Sequence, residues 1–244
     1  MVEASQNKVA IITGAAGALG SELALLCARA AWETILVDKN QTGLARLYDR
    51  IVQNGGLEPS MVVLDLAAMG PPDCKEVVDA LERGPGRLDA LIHCAASFDG
   101  LQPLDQIQPE DWLRQLQVNL NAPWLLSTRC LPLLLQSPQA SLYFISEDLD
   151  KVAAAYWGAY GVSKHGIHAL ARQFAAELAN TDIQVLALNP GPMRSPLRAK
   201  VYHTENPQGI EAPEIAANKI LHLMERRLPA CSRLVQLDEL DIQT

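Results

Sequence analysis

The sequence lacks an excess of basic residues and lacks any long apolar run. Its 28 aspartates and glutamates outnumber its 20 lysines and arginines, which gives a formal net charge of −8 at pH 7. Nucleic acid and anionic membranes both require a basic surface, so neither is expected as the main partner. No stretch of about 18 uninterrupted apolar residues is present, so no segment is expected to span a bilayer.

Cysteines are few, and their spacing argues against several kinds of site. The chain has five, an odd number, and none forms a C-x-x-C pair. Neither a metal site nor a disulfide framework is therefore predicted, and a reduced cytoplasmic compartment is expected. The N-terminal segment MVEASQNK also lacks the basic start and apolar run of a secretory signal. Most of the cysteines are expected to pack as small core hydrophobes; they are Cys27, Cys74, Cys94, Cys130 and Cys231.

What the sequence does contain is a regular alternation of short apolar runs and longer amphipathic segments. Of its 244 residues 49% are apolar and 20% charged, and no repeat or linker divides them. Residues 1–244 are therefore expected to form a single α/β domain, a Rossmann fold with a doubly wound parallel sheet of about seven strands and helices on both faces. The predicted strands are KVAIIT, TILVD, SMVVLDL, LDALIHCA, SLYFIS, IQVLALNP and RLVQLD.

A glycine-rich turn, TGAAGALG, joins the first predicted strand to the first predicted helix. Glycines let the backbone approach a pyrophosphate closely, and a helix N-terminus offers N–H groups to it. A tight connection without any ligand would show the same glycines, so the turn alone is a weak signal. The candidate cofactor-binding residues here are Thr13, Gly14, Gly17, Ala18, Leu19 and Gly20.

Two carboxylates follow the second and third predicted strands. Asp38 ends the second strand, where a carboxylate binds both ribose hydroxyls of NAD and repels the 2′-phosphate of NADP. Lys39 beside it softens that preference, so NADP is not excluded. Asp65, followed by Leu66, is placed to contact an adenine, or equally to cap a helix. Residues of about 1–100 are therefore expected to form the nucleotide-binding half of the domain.

Tyr160 and Lys164 lie four residues apart in a segment with helical apolar periodicity, so their side chains are neighbours on one face. An ammonium beside a tyrosine favours the phenolate and lowers the pKa of the phenol, which makes it a usable proton donor or acceptor. An isolated Y-x-x-x-K is more often a surface pair, but this one follows a nucleotide-type turn. Residues of about 101–244 are therefore expected to form the catalytic half.

These motifs together resemble the short-chain dehydrogenase/reductase family over essentially the whole chain. The resemblance implies an NAD- or NADP-dependent oxidoreductase acting on CH–OH groups, and a homodimer or homotetramer with the helices of Asn119 and Tyr160 near the interface. Residues 193–208 are also similar to an uncharacterised subgroup of proteobacterial oxidoreductases. The matching residues are Thr13, Gly14 and Gly20, Asp38, Asp65 and Leu66, Asn119, Tyr160 and Lys164, and Asn189, Pro190 and Gly191.

The resemblance also implies roles. Tyr160 is expected to be the acid/base, Lys164 to bind the nicotinamide ribose and tune the tyrosine, and Asn119 to anchor a water that relays protons. Pro123 has no N–H, so within a helix the Asn119 carbonyl loses its usual partner, which supports this role. Ser195 is expected to hold the nicotinamide carboxamide, and Ala95, Pro190 and Gly191 complete the predicted cofactor contacts.

The main departure from the family is Glu147, which stands where the family has a serine that holds the substrate oxygen. An ionised carboxylate only accepts hydrogen bonds, and it is expected to raise the pKa of Tyr160 or to pair with Lys164. Ser146 is adjacent, but alternation along a strand predicts that it faces away. Whether Glu147 enters the site or turns to solvent stays open; inside the site it would be protonated or would bind a cationic substrate group.

Smaller departures concern the cofactor. Ala18 and Ala96 stand where the family has glycines, and Cys94 where it has an asparagine, so weaker dinucleotide binding is expected. His93 is interpreted as core packing. Two hypotheses therefore remain: an enzyme that interconverts an alcohol and a carbonyl on a small organic substrate, or an impaired member that binds nucleotides or regulates. Residues 192–213, with four prolines, are expected to form a substrate lid.

Overall fold

The computed structural model describes residues 7–226, 228 and 234–240. Within these residues seven parallel strands form one sheet in the order β3-β2-β1-β4-β5-β6-β7, which confirms the predicted doubly wound α/β fold. The order reverses between β1 and β4, and ligands of such sheets lie in the crevice at that point. The strands are β1 (Val9–Thr13), β2 (Glu33–Asp38), β3 (Ser60–Val63), β4 (Ala90–His93), β5 (Ala140–Ile145), β6 (Ile183–Asn189) and β7 (Leu234–Gln236).

Helices cover both faces of the sheet. Side chains of β1 alternate between the two covered faces, because Ala10 and Ile12 join one core layer while Val9 and Ile11 join the other. No helix in the described part of the chain is long and apolar enough to cross a membrane. The helices are α1 (Ala18–Arg29), α2 (Gln41–Gln53), α3 (Pro71–Arg83), α4 (Pro109–Leu116), α5 (Ala122–Leu134), α6 (Leu149–Val152), α7 (Gly158–Glu177), α8 (Pro196–Ala199) and α9 (Pro213–Glu225).

The sheet edge at β3 departs from the prediction of strands buried on both faces. Met61 and Val63 keep 45% and 55% of their surface exposed. β3 has only one neighbouring strand, β2, so its outer edge lacks the cover that the central strands have. The predicted strand continued to Leu66, but pairing ends at Val63 and a turn follows.

A π-helical turn separates α4 from α5 and contains Asn119. It spans Gln117–Asn121, and the Ala122 N–H donates to the Gln117 carbonyl five residues earlier. The turn directly precedes Pro123, whose missing N–H removes the i to i−4 bond that an α-helix would place there. The hydrogen bond that Asn119 was expected to lose is therefore accommodated by a widened turn.

Three of the predicted core cysteines, Cys27, Cys74 and Cys130, are fully buried. Cys94 is only partly buried, and the four described cysteines are free thiols. Cys231 and the first residue of the last predicted strand, Arg233, lie outside the described residues.

Candidate active site

The carboxyl ends of the central strands open onto one cleft of about 390 Å³. Most of the residues that the sequence predicts for the site line this cleft, and they come from both halves of the chain. Two predicted residues, Thr13 and Asn119, are buried behind it. The predicted residues that line the cleft are Gly14, Gly17, Ala18, Leu19, Gly20, Asp38, Asp65, Leu66, Ala95, Glu147, Tyr160, Lys164, Pro190, Gly191 and Ser195.

The glycine-rich turn is packed too tightly for larger residues at two positions. Gly14 has φ +66°, and a Cβ there would lie 2.6 Å from the Ala95 Cα. A Cβ on Gly20 would lie 2.3 Å from the Gly14 carbonyl oxygen. No side chain caps the N-terminus of α1 at Gly17, so its first N–H groups are left for a ligand. The turn therefore fits the pyrophosphate of a dinucleotide.

Asp38 holds the other end of this nucleotide region. Its Oδ2 accepts from the Ala16 N–H at 3.0 Å, and its Oδ1 accepts from the Asn40 N–H at 2.9 Å. These bonds fix the carboxylate at the end of β2, where it lines the cleft next to the exposed Lys39. A rigid carboxylate in this position suits a ribose diol.

Asp65 and Ser195 both line the cleft while stabilising local turns. The Asp65 Oδ1 accepts from the Ala67 N–H at 3.0 Å, in a turn that precedes α3, so it does not cap that helix. The Ser195 Oγ accepts from the Arg198 N–H at 3.1 Å and caps the short helix α8. Each side chain keeps further hydrogen-bonding capacity that a ligand in the cleft can use.

Thr13 and Asn119 form hydrogen bonds with the backbone of the loop after β4, on the side away from the cleft. The Thr13 Oγ accepts from the Ala95 N–H at 3.4 Å. The Asn119 Oδ1 accepts from the Ser97 N–H at 2.7 Å, and its Nδ2 donates to the Ser97 carbonyl at 2.9 Å and to the Ser163 Oγ at 3.1 Å. The Asn119 side chain thus connects this loop to α7, which carries Tyr160.

Tyr160 and Lys164 lie together in the cleft, but the phenol behaves differently from the prediction. Burial raises the pKa of Tyr160 well above its ordinary value, and the charge of Glu147 and a hydrogen bond to it raise the pKa further. The net change in the pKa of Tyr160 is therefore upward, as expected from Glu147 and opposite to the lowering expected from Lys164. The Lys164 Nζ donates to the Ile145 carbonyl at 2.7 Å and lies 5.3 Å from the centre of the Tyr160 ring. Burial lowers the pKa of Lys164 to about 8, against the opposing effects of Glu147 and Cys94.

Glu147 projects into the cleft rather than turning to solvent. It is half-buried, and it raises the pKa of Tyr160 as expected. Ser146 also borders the cleft. Its N–H donates to the Leu188 carbonyl at 2.7 Å, so pairing with β6 continues past Ile145, and its side chain is buried, in agreement with the prediction that it faces away. The Ser146 Oγ is buried and makes no hydrogen bond in the described structure. The site therefore contains an acid where the family has a hydroxyl.

His93 packs in the core, as interpreted from the sequence. Its ring stacks on Phe144 at 5.1 Å between centroids, and its Nε2 lies 2.9 Å from the Ser127 Oγ. Burial lowers the pKa of His93 to about 3, so the ring is neutral. Cys94 lines the cleft, and burial raises the pKa of its thiol to about 12. Among the described residues no group of three His, Cys, Asp or Glu could hold a metal ion.

An aromatic wall, which we define as Phe98 and Trp157 together with the Tyr160 ring, forms the side of the cleft beyond the glycine turn. Phe98 lies 5.6 Å from Trp157 and 4.9 Å from Tyr160 between ring centroids. Leu197 and Val201 pack against this wall. Phe98 and Trp157 were not predicted from the sequence, where their only signal is a position in a loop after a strand and beside the Tyr-Lys motif.

Residues 192–213 lie along the cleft and are braced at several points. Arg198 forms a bidentate ion pair with Glu205, and both N–O distances are 2.6 Å. The Lys200 Nζ donates to the Phe98 carbonyl at 2.7 Å. Residues 193 and 211 pair as an isolated bridge. The segment is thus folded, with two short helices, and it contributes one wall of the cleft.

Comparison with known proteins decides the family. The sequence profile described as short chain dehydrogenase matches residues 8–206. The chain belongs to the short-chain dehydrogenase family. The members of this family are oxidoreductases with a nucleotide cofactor, in agreement with the Rossmann fold and the Tyr-Lys pair in its cleft.

Individual relatives agree with this assignment. The chain is 31% identical to the uncharacterized oxidoreductase YciK of Escherichia coli K12 over 85% of its length and 82% of the relative's. It is 26% identical to the cyclohexanol dehydrogenase of Acinetobacter sp. strain SE19, over 82% and 78%. A short chain dehydrogenase structure from Shigella flexneri 2a, complexed with NADP, superposes with a TM-score of 0.90 at 28% identity and covers 98% of this chain and 100% of its own.

Proposed function

We propose that the protein interconverts an alcohol and a carbonyl on a small organic substrate with NAD(H) or NADP(H), and that Tyr160 is the acid/base. The observation that carries this proposal is the shared cleft, in which the glycine turn, Asp38, Tyr160 and Lys164 all line one cavity. The Acinetobacter relative acts on cyclohexanol by name, which supports the CH–OH chemistry.

The residues of this chain supply the proton chemistry. The bound nicotinamide supplies or accepts the hydride. The Tyr160 hydroxyl donates a proton to the carbonyl oxygen in reduction and takes it back in oxidation. Lys164, held on the Ile145 carbonyl, places its ammonium beside the Tyr160 ring, where it would bind a ribose hydroxyl of the cofactor. Asn119 orders the loop after β4 and, through Ser163, the start of α7.

We propose NAD(H) as the preferred cofactor. The Asp38 carboxylate is fixed by two backbone N–H groups, so it cannot easily turn away from a 2′-phosphate. The Shigella relative binds NADP, and Lys39 in this chain is the exposed cation nearest in sequence to Asp38, so NADP(H) binds as the weaker alternative. Ala18, Cys94 and Ala96 line the cleft at positions expected to weaken binding of either dinucleotide.

A second candidate function is nucleotide binding without turnover. The observation that favours it is the position of Glu147, which raises the pKa of Tyr160 and provides no donor for a substrate oxygen. The retention of Tyr160 and Lys164 in one cleft favours the enzyme instead.

One experiment separates the two functions. The full chain is titrated with NADH and NADPH by fluorescence and then assayed with a panel of alcohols and ketones. Turnover that falls by about 10²–10⁴-fold in Tyr160→Phe, with NADH binding retained, supports catalysis. Tight NADH binding with no turnover on any substrate of the panel supports the second function. Failure to bind either dinucleotide contradicts both.

We also propose that the protein is a homodimer or homotetramer, with the helices that carry Asn119 and Tyr160 near the interface. The support is a group of exposed large apolar side chains on these helices. Leu113 on α4, Trp124 on α5 and Val162 on α7 are 64%, 50% and 51% exposed. Apolar groups of this size on neighbouring helices are typical of a protein contact.

A further inference from the structure

The Glu147 carboxylate lies half-buried in the cleft. Its Oε1 accepts from the Asp148 N–H at 3.2 Å. Its charge also acts on Tyr160, Lys164 and Arg198. No salt bridge within the described residues includes Glu147. A carboxylate can accept about four hydrogen bonds, so this one retains acceptor positions that a ligand in the cleft can use.

The cations along the same cleft are engaged elsewhere. Arg198 is paired with Glu205, and Arg114 with Asp99 and Asp111. The ammonium groups of Lys164 and Lys200 donate to the backbone carbonyls of Ile145 and Phe98. Two cations remain. Lys39 lies in the nucleotide region beside Asp38, and Lys151 lies 5.6 Å from the Trp157 ring centre and 5.2 Å from the Tyr202 ring centre. Of the lining acids, Asp38 and Asp65 belong to the nucleotide region, so Glu147 is the acid beside the reacting position.

The aromatic wall offers one further surface to an ammonium group. Lys151 already lies over the Trp157 ring and Lys164 over the Tyr160 ring, whereas Phe98 borders the cleft with no lysine or arginine over its ring among the described residues. Glu147 follows Ile145 by two residues, and the Ile145 carbonyl accepts from the Lys164 ammonium, which lies 5.3 Å from the Tyr160 ring centre. A group bound to Glu147 therefore lies in the same part of the cleft as Tyr160.

We propose that the substrate is an amino alcohol or amino ketone whose protonated amine lies near the reacting carbon, and that Glu147 binds this ammonium. The alcohol or carbonyl in this inference rests on the proposed function. The ammonium site does not depend on it. It gives the acid at the family's serine position a role in substrate selection. The apolar remainder of the substrate packs against Phe98, Leu197 and Val201.

The test uses three probes that share one ring and differ in charge. The full chain, alone and with NADH, is titrated calorimetrically with cyclohexylamine, cyclohexanol and cyclohexanecarboxylate at pH 7. We expect the ammonium probe to bind at least tenfold more tightly than the other two. Glu147→Gln is expected to lose that tenfold and to bind cyclohexanol as before. Asp150→Asn, which removes an exposed acid three residues away, is the matched control and is expected to bind all three probes like the wild type.

Two results would overturn the proposal. One is equal binding of the three probes, or binding of none of them. The other is preference for the carboxylate that disappears in Lys151→Met, which would make the substrate anionic. A turnover assay with 2-aminocyclohexanol and cyclohexanol then separates this inference from the proposed function. Turnover without any preference for the amine contradicts only the ammonium site, and Glu147-dependent amine binding without turnover contradicts only the oxidoreductase function.

Discussion

At the scale of single residues, the chemistry of the cleft depends on what surrounds Tyr160. Burial and Glu147 raise the pKa of the phenol, while Lys164 is held on a backbone carbonyl. At neutral pH Tyr160 is therefore protonated, the form that donates a proton to a carbonyl.

Replacing Glu147 by glutamine is expected to change the pH dependence of the reaction. The variant loses the negative charge that raises the pKa of Tyr160, so that pKa falls. Reduction requires the protonated phenol, so the fall in the rate of reduction at alkaline pH is expected at lower pH in Glu147→Gln. Oxidation requires the phenolate, so the increase in the rate of oxidation with pH is also expected at lower pH. Profiles of kcat/KM against pH check both shifts, and superimposable profiles for variant and wild type would contradict the coupling.

The buried Lys164 is expected to make stability depend on pH. Its pKa is about 8 in the folded protein and 10.5 ordinarily, so between these values the unfolded chain binds more protons. Stability therefore rises with pH across this window, by roughly 3 kcal/mol from this group. Urea unfolding of wild type and Lys164→Met at pH 7 and above pH 10 measures the difference. A constant difference between the two proteins would show that Lys164 keeps its ordinary pKa when folded.

At the scale of elements, periodicity predicted most of the helices and strands, because a buried face repeats at a fixed spacing along the chain. Helix α2 buries Leu44, Leu47 and Ile51 at this spacing, and the predicted lid contains α8 and a 3₁₀ turn at Pro207–Gly209. β5 ends one residue before its predicted end, although the Ser146 N–H still pairs with the Leu188 carbonyl. The alternation of the strand therefore still separates the side chains of Ser146 and Glu147.

The glycine turn provides a test at this scale. Gly20→Ala would place a Cβ 2.3 Å from the Gly14 carbonyl oxygen, so the start of α1 must move. We expect NADH affinity to fall at least tenfold, because the helix N–H groups then point away from the pyrophosphate. Fluorescence titration measures this. Gly209→Ala, where no atom lies within 4 Å of the added Cβ, is the control and is expected to bind normally. Equal affinities for both variants would contradict the role of the turn.

The segment of residues 192–213 provides a second test at the scale of elements. Glu205→Gln removes the charge that pairs with Arg198, so α8 and the residues after it are expected to loosen along the cleft. Limited proteolysis within 192–213 is expected to become faster, and the KM for the substrate to rise more than kcat falls. Unchanged cleavage and an unchanged KM would show that the ion pair does not hold the segment.

At the scale of the whole molecule, the sheet order brings distant segments to one crevice between β1 and β4. Exposed apolar groups on α4, α5 and α7 lie outside that crevice. If they form the interface between copies, Trp124→Glu is expected to lower the molar mass in solution while the fold is retained. Light scattering with circular dichroism checks this, and Leu135→Glu, at a similarly exposed position after α5, is the control. An unchanged mass for Trp124→Glu would exclude that surface from the interface.

The sequence by itself determined the fold class, the resemblance to a family and the Tyr-Lys pair, because these depend on short periodic patterns and fixed spacings. It left open where Glu147 points and which of two opposing effects, that of Lys164 or that of Glu147, decides the pKa of Tyr160. It also missed the aromatic wall. Only the tertiary structure decided these points, because burial and charge at one residue are set by segments far apart in the chain. At this site those segments are the loop after β4, the end of β5, the start of α7 and residues 192–213.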